Sequence, residues 1–115
     1  MKKIYHLGTC STCKRIIDEL KPGKDVIFQD IKTENITEAQ LDEMKALAGS
    51  YEALFSRVAL KYRAMGLHEK QLAEKDYKKL ILEEHTFLKR PVILANGNIF
   101  VGNSKANVAN AKKEF

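Results

Sequence analysis

The chain carries two cysteines, Cys10 and Cys13, in the run Cys10-Ser11-Thr12-Cys13. That spacing suits dithiol–disulfide chemistry, in which one thiolate attacks and the other displaces the leaving group. A pair this close encloses too small a loop to staple a fold. Ile4-Tyr5-His6-Leu7 before it reads as a strand, Gly8-Thr9 breaks it, and a helical pattern starts at Ser11. The pair is therefore expected at a helix N-terminus, where unpaired N–H groups and the helix dipole favour a thiolate. Cys10 gains most from that position, so its pKa is expected below the free value of roughly 8.5. Cys13, one turn in, is expected to be less exposed and less acidic. Lys14 and Arg15 follow and add positive charge. The same loop suits an oxyanion. Backbone N–H groups from Gly8 to Thr12, through Thr9 and Ser11, are expected to form a nest beside Cys10, with Gly8 supplying the backbone angles.

Plainer readings stand beside these. A CxxC can be half of a zinc site, but no second CxxC or HxxxH is present, and His6, His68 and His85 are scattered. Two incidental buried cysteines would also satisfy the spacing. His6 points either into the core or toward the loop.

The elements around the pair follow from periodicity. A helix over about 11–20 puts Cys13, Ile16, Ile17 and Leu20 on one face, and Lys21-Pro22-Gly23 stops it. Val26-Ile27-Phe28 is a second strand, and strand–helix–strand within some thirty residues predicts a parallel pair. Thr37 with Gln40 forms a capping box, with Ile36 and Leu41 as its staple. Leu41, Met44, Leu47 and Ala48 form the predicted buried stripe, Gly49 ends that helix and Ser50 caps the next. From there to His85 helical spacing continues, through Leu54, Val58 and Tyr62 and then Tyr77, Leu80 and Ile81, with Gly66 between. Val92-Ile93-Leu94, Asn96-Gly97 and Ile99-Phe100-Val101 predict a hairpin with a type I′ turn. Ser104 caps a last helix whose buried side is Val108, Ala111 and Phe115.

The predicted class is α/β, a thioredoxin-like mixed four-stranded sheet running β-α-β then β-β-α. A helical insertion over about 37–85 separates strands 2 and 3 within a single domain, 1–115. In such a fold the residue opening the third strand is a cis-proline facing the reactive cysteine. Pro91 stands there; the alternative is a proline that merely starts a strand. Arg90 would then lie near Cys10, to hold an anion or stabilise the thiolate, rather than serve as a solvated charge.

Composition bounds the rest. At 115 residues, 44% hydrophobic and 30% charged, the chain is long and apolar enough for one globular core, which excludes disorder and collagen-like repeats. Twenty Lys and Arg against fifteen Asp and Glu leave +5. That excess suits an anionic small ligand or an acidic protein surface and is too diffuse for direct nucleic-acid binding. No run reaches about 18 apolar residues, so no membrane association or secretion signal is expected. The cytoplasm, where thiols stay reduced, is the expected compartment.

Five segments together resemble the arsenate reductase family, which also contains the Spx-type regulators. They are Tyr5-His6 ahead of Cys10, Ser50-Tyr51-Glu52-Ala53-Leu54-Phe55-Ser56-Arg57, Tyr62-Arg63-Ala64-Met65-Gly66-Leu67, Leu88-Lys89-Arg90-Pro91-Val92-Ile93, and Val101-Gly102. The resemblance implies that Cys10 is the nucleophile that attacks arsenate and that His6 is the histidine of the anion loop. It implies that Arg57 is the central arginine and Arg90 the one before the cis-proline. It implies no bound cofactor, and electrons from glutathione and glutaredoxin, with thioredoxin as the other candidate reductant. Three departures matter. Gly102 stands where arsenate reductases place a third arginine. Leu7-Gly8-Thr9 replaces a frequent Asn-Pro step. Cys13 falls on a serine position of the glutathione-dependent reductases, whereas a CxxC marks the Spx-type members. In those, a disulfide switches a transcription regulator bound to the RNA polymerase α subunit, and Gly49 lies close to the glycine of that contact. The expectations are thus a reductase acting on an oxyanion or a disulfide, with Cys13 or an external thiol resolving the adduct, and alternatively a redox-switched regulator.

Overall fold

The computed structural model describes residues 2–115; Met1 lies outside the described residues. In chain order the regular elements are β1 (Lys2–His6), α1 (Ser11–Leu20), β2 (Val26–Asp30), α2 (Glu38–Ala48), α3 (Leu60–Ala64), α4 (Glu74–Glu83), β3 (Val92–Ala95), β4 (Asn98–Val101) and α5 (Lys105–Lys112). They fall into two compact units. One contains the residues up to Asn35 together with Arg90–Phe115; the other is Ile36–Lys89.

The first unit is an α/β layer on a mixed sheet of order β2-β1-β3-β4. β1 runs parallel to β2, with Ile4 opposite Phe28 and His6 opposite Asp30, and antiparallel to β3, with Ile4 opposite Ile93. The parallel β1–β2 pair and the antiparallel β3–β4 hairpin are those expected. Alternation along the strands puts Ile4, Val26, Ile93 and Ala95 on one face. There they form a core with Ile16 and Leu20 of α1 and Val108 and Ala111 of α5. Phe115, expected on the buried side of α5, is partly buried against the same core. The hairpin turns at Asn96 and Gly97, with φ of 54° and 82°. Positive φ at both central residues is what a type I′ turn requires. β2 extends past Phe28, because Gln29 and Asp30 go on pairing with Tyr5 and His6. α1 stops at Lys21, which takes the left-handed conformation (φ 49°) and donates its N–H to the Ile17 carbonyl.

The second unit is the helical insertion, which opens at the capping box of α2. Gln40 N–H donates to Thr37 Oγ1 and Thr37 N–H to Gln40 Oε1, both at 3.1 Å. Leu41 and Met44 are fully buried, but Leu47 is 45% exposed. At 100° per residue Leu47 sits about 120° round the helix from Leu41, at the margin of the stripe. Gly49 closes α2 at φ 100°. Beyond it the expected long helix is broken. Ser50 Oγ accepts from Ala53 N–H, but what it caps is a single turn of 3₁₀ helix, Glu52–Leu54. Phe55 then runs extended and bridges Leu88. Val58, expected on the same helical patch as Leu54, is instead 91% exposed. The aromatic cluster accompanies the break: Phe55 stacks on Phe87 at 5.1 Å and meets Tyr77 at 4.9 Å, and its extended backbone pairs with Leu88 rather than continuing a helix. In α4, Tyr77 and Ile81 are buried and Leu80 half-buried.

Candidate functional site

Cys10 is the N-cap of α1, with extended backbone (φ −88°, ψ 114°). Its N–H donates to the Leu7 carbonyl at 2.9 Å, which turns the chain from β1 into the helix, and its own carbonyl accepts from Lys14 N–H at 3.1 Å. Both cysteines are free thiols; Cys10 is half-buried and Cys13 fully buried. Burial pushes the Cys10 thiol up, but it is outweighed by hydrogen bonds from the Cys13 N–H, the Cys13 thiol and the Thr12 N–H and by the Arg90 charge. The net direction is down from the ordinary 9.0. Burial pushes Cys13 the other way, and the neighbouring Cys10 adds to it, against the Leu7 N–H and Arg90. The Cys13 thiol rises to about 11. The first-turn N–H groups therefore serve the sulfur they were expected to serve, and the two thiols are split in opposite directions.

Arg90 acts on both thiols from the start of β3. The Arg90–Pro91 peptide bond is cis. The Pro91 carbonyl accepts from Gly102 N–H at 2.9 Å, and Gly102 stands at φ 92° with its carbonyl accepting from Asn107 Nδ2. Thr9 and Ser11 flank Cys10 and are exposed. His6 ends β1, its ring edge-on to Phe28 at 5.9 Å. His6, Leu7, Lys14, Ile17, Asp18 and Phe28 line a groove of about 360 Å³ on this side of α1. Arg57 belongs to the other unit. There its guanidinium donates to Glu52 Oε2 at 2.6 Å and to Tyr77 Oη at 2.9 Å, and Glu52 foremost holds its pKa up.

The nest expected from Gly8 onward is not built as expected. Gly8 lacks the positive φ such a nest needs, and its N–H donates to Asp30 Oδ2 at 3.1 Å. Asp30 was missing from the sequence-based set of site residues. A strand ending at Phe28 leaves no reason to look at it; the parallel register that sets His6 opposite Asp30 is the signal that finds it. The Lys32 N–H foremost holds the Asp30 carboxyl below its ordinary range; desolvation opposes it, and the Gly8 N–H, the His6 charge and the Thr33 N–H add smaller contributions in the lowering direction. Among the described residues no three His, Cys, Asp or Glu side chains are grouped to hold a metal ion, and no helix is long and apolar enough to cross a membrane.

Against known proteins, the model of the ArsC family matches residues 5–111. A solved protein named YFFB is 25% identical with a TM-score of 0.79, covering 96% of this chain and 98% of its own. An arsenate reductase (ArsC) related protein from Brucella melitensis is 25% identical with a TM-score of 0.72, covering 95% and 92%. An arsenate reductase from Vibrio cholerae is 16% identical with a TM-score of 0.79, covering 99% and 97%, a likeness of fold. No curated protein matches the chain at a significant level.

Proposed function

The chain belongs to the ArsC family, matched over residues 5–111, and from that premise we propose that it is a thiol–disulfide reductase with Cys10 as nucleophile and Cys13 as resolving thiol. The observation that carries the reading is the opposite shift of the two thiols, Cys10 down and Cys13 up to about 11. Cys10 thiolate attacks one sulfur of a substrate disulfide. The S–S bond breaks, and the departing sulfur leaves as a thiolate that takes a proton from water. Cys13 then loses its proton and attacks the Cys10 sulfur, releasing the second substrate thiol and leaving a Cys10–Cys13 disulfide. Cys10 no longer carries negative charge in the mixed disulfide, so one of the effects that raise Cys13 is gone when Cys13 must ionise. Two glutathione thiols, or the dithiol of a glutaredoxin or thioredoxin, return the pair to the reduced state. No resident cofactor is needed, and the reducing cytoplasm suits this cycle.

A disulfide fits this site better than arsenate. An arsenate dianion is best held by several cationic or N–H donors. Gly102 stands where the family resemblance puts an arginine, and the Gly8 N–H is engaged by a carboxylate. Arg90 remains as the cation beside Cys10, with His6, Thr9, Ser11 and Thr12 as the loop's further polar groups. The test is turnover of a small disulfide and of arsenate by the reduced protein, coupled to glutathione–glutaredoxin and to thioredoxin. Disulfide reduction is expected, abolished in Cys10→Ser and trapped as a mixed disulfide in Cys13→Ser. Absence of thiol-coupled turnover of either substrate overturns the reading.

A second reading, a redox-switched regulator of the Spx type that contacts the RNA polymerase α subunit, draws on the CxxC and on one feature of the insertion. Val58 and Leu60 there are 91% and 90% exposed, and clustered exposed apolar side chains mark interaction surfaces. Binding to RNA polymerase in one oxidation state supports it; no binding in either state removes it.

A further inference from the structure

We propose that Asp30 is a positioning residue for Cys10, its carboxylate tying the loop that delivers the nucleophile to the end of β2. The proposal takes Cys10 as the nucleophile and adds a residue outside the Cys10–Cys13 turn.

Asp30 is itself held from several sides. Its Oδ1 accepts from Lys32 N–H at 3.0 Å, and its carbonyl accepts from Glu34 N–H at 2.8 Å. Just beyond it, Ile31 N–H donates to the His6 carbonyl at 2.9 Å. From that anchored position Oδ2 reaches across from β2 and takes the Gly8 N–H. The contact is close enough that a side chain at position 8 would meet it. A Cβ on Gly8 would lie 2.4 Å from Asp30 Oδ2, which no side chain tolerates without displacing the carboxylate. Gly8 is two residues ahead of Cys10, so the contact sets the direction from which the chain enters the N-cap. The sulfur's position over the Thr12 and Cys13 N–H groups depends on that entry, because those donors belong to the first turn of α1 and do not follow the loop.

Geometry and charge make opposite predictions, which makes the proposal testable. The groups that bear on the Cys10 thiol are Cys13, Thr12 and Arg90, and those that bear on Asp30 include His6; apart from Cys13→Ser, which every variant below shares with its parent, none is altered. If Asp30 acted on Cys10 only as a negative charge, removing it by Asp30→Ala or Asp30→Asn alike would favour the thiolate. A positioning role predicts the reverse for alanine and no change for asparagine, whose side-chain oxygen still accepts from Gly8.

The experiment measures Cys10 thiolate by its ultraviolet absorbance against pH, and its alkylation rate, in a Cys13→Ser background. Asp30→Ala is expected to raise the Cys10 pKa and cut thiolate near neutral pH by about tenfold, one pKa unit. Asp30→Asn is expected to stay within about twofold of its parent. Gly8→Ala should reproduce the loss in the presence of Asp30 and add little to Asp30→Ala, where the carboxylate that meets the new Cβ is gone. A lowered pKa in both Asp30 variants, or a Gly8→Ala effect as large without Asp30 as with it, overturns the proposal. Should Asp30→Ala fail to fold, Gly8→Ala and Asp30→Asn carry the same decision. These readouts need no turnover, so a protein that reduces no substrate would sink the reductase reading and leave this one to be judged by its own measurement.

Discussion

Alkylation of the fully reduced protein should discriminate sharply between two thiols only three residues apart. A thiol with a pKa of about 11, as for Cys13, is ionised about once in ten thousand at pH 7. One at the ordinary 9.0 is ionised about once in a hundred, and Cys10 lies below that value. The thiolate advantage of Cys10 is therefore at least about a hundredfold. Part of it is offset, since a less basic thiolate is a weaker nucleophile. With a Brønsted slope of about 0.4–0.5, two units cost about six- to tenfold. The net expectation is that Cys10 reacts at least about ten times faster, before the complete burial of Cys13 adds to the difference. The assay is a short exposure to substoichiometric iodoacetamide, acid quench, trypsin digestion and fragmentation of the Ile4–Lys14 peptide to locate the label. The pH dependence carries the sign. The Cys10 rate should pass half its plateau below pH 9, whereas the Cys13 rate should keep climbing toward about 11. Comparable labelling at pH 7, or Cys13 labelled first, would refute the reasoning.

Other consequences follow from the same geometry. Because the folded state keeps the Cys13 proton up to about pH 11 while an unfolded chain loses it near 9.0, the stability tied to that proton is present below pH 9 and lost as pH rises to about 11. Urea unfolding of the reduced protein should show a fall of about 2–3 kcal/mol across that window, which Cys13→Ala removes. Ile16→Ala opens a void under α1, where Ile16 is wholly buried. It should cost about 2–5 kcal/mol, read as a lower urea midpoint with an unchanged slope. Gly102→Arg restores the arginine of the family pattern at a residue with φ 92°. It is expected to lower stability by about 1–2 kcal/mol in thermal unfolding and to bring no arsenate turnover, because the backbone conformation resists any side chain there.

Much of the fold was legible because its signals are local. Asn96-Gly97 encodes its turn in two adjacent residues, and Thr37 with Gln40 encodes a helix start within four. The strands and α1 around Cys10 were equally readable from short apolar periods. The misread stretch is instructive. Leu54, Val58 and Tyr62 keep helical spacing, yet Phe55 leaves the helix to join Tyr77 and Phe87, aromatic partners more than twenty residues away, and Val58 is left in solvent. Periodicity counts intervals along the chain and cannot weigh a distant ring stack against them.

The site divides along the same line. Sequence alone determined that a CxxC opens a helix after a strand, and hence that two thiols three residues apart sit in unequal surroundings. The tertiary structure decided the size and sense of the inequality, because the burial of Cys13 and the field of Arg90 come from elements far apart in the chain. It also decided what Gly8 is for. A glycine ahead of a reactive cysteine suggests an anion nest, but Asp30, twenty-two residues on, takes its N–H and sets its carboxylate where a Cβ would go. The parallel register of β1 and β2 is what brings those two residues together, and register is a property of paired strands that neither strand's own residues display.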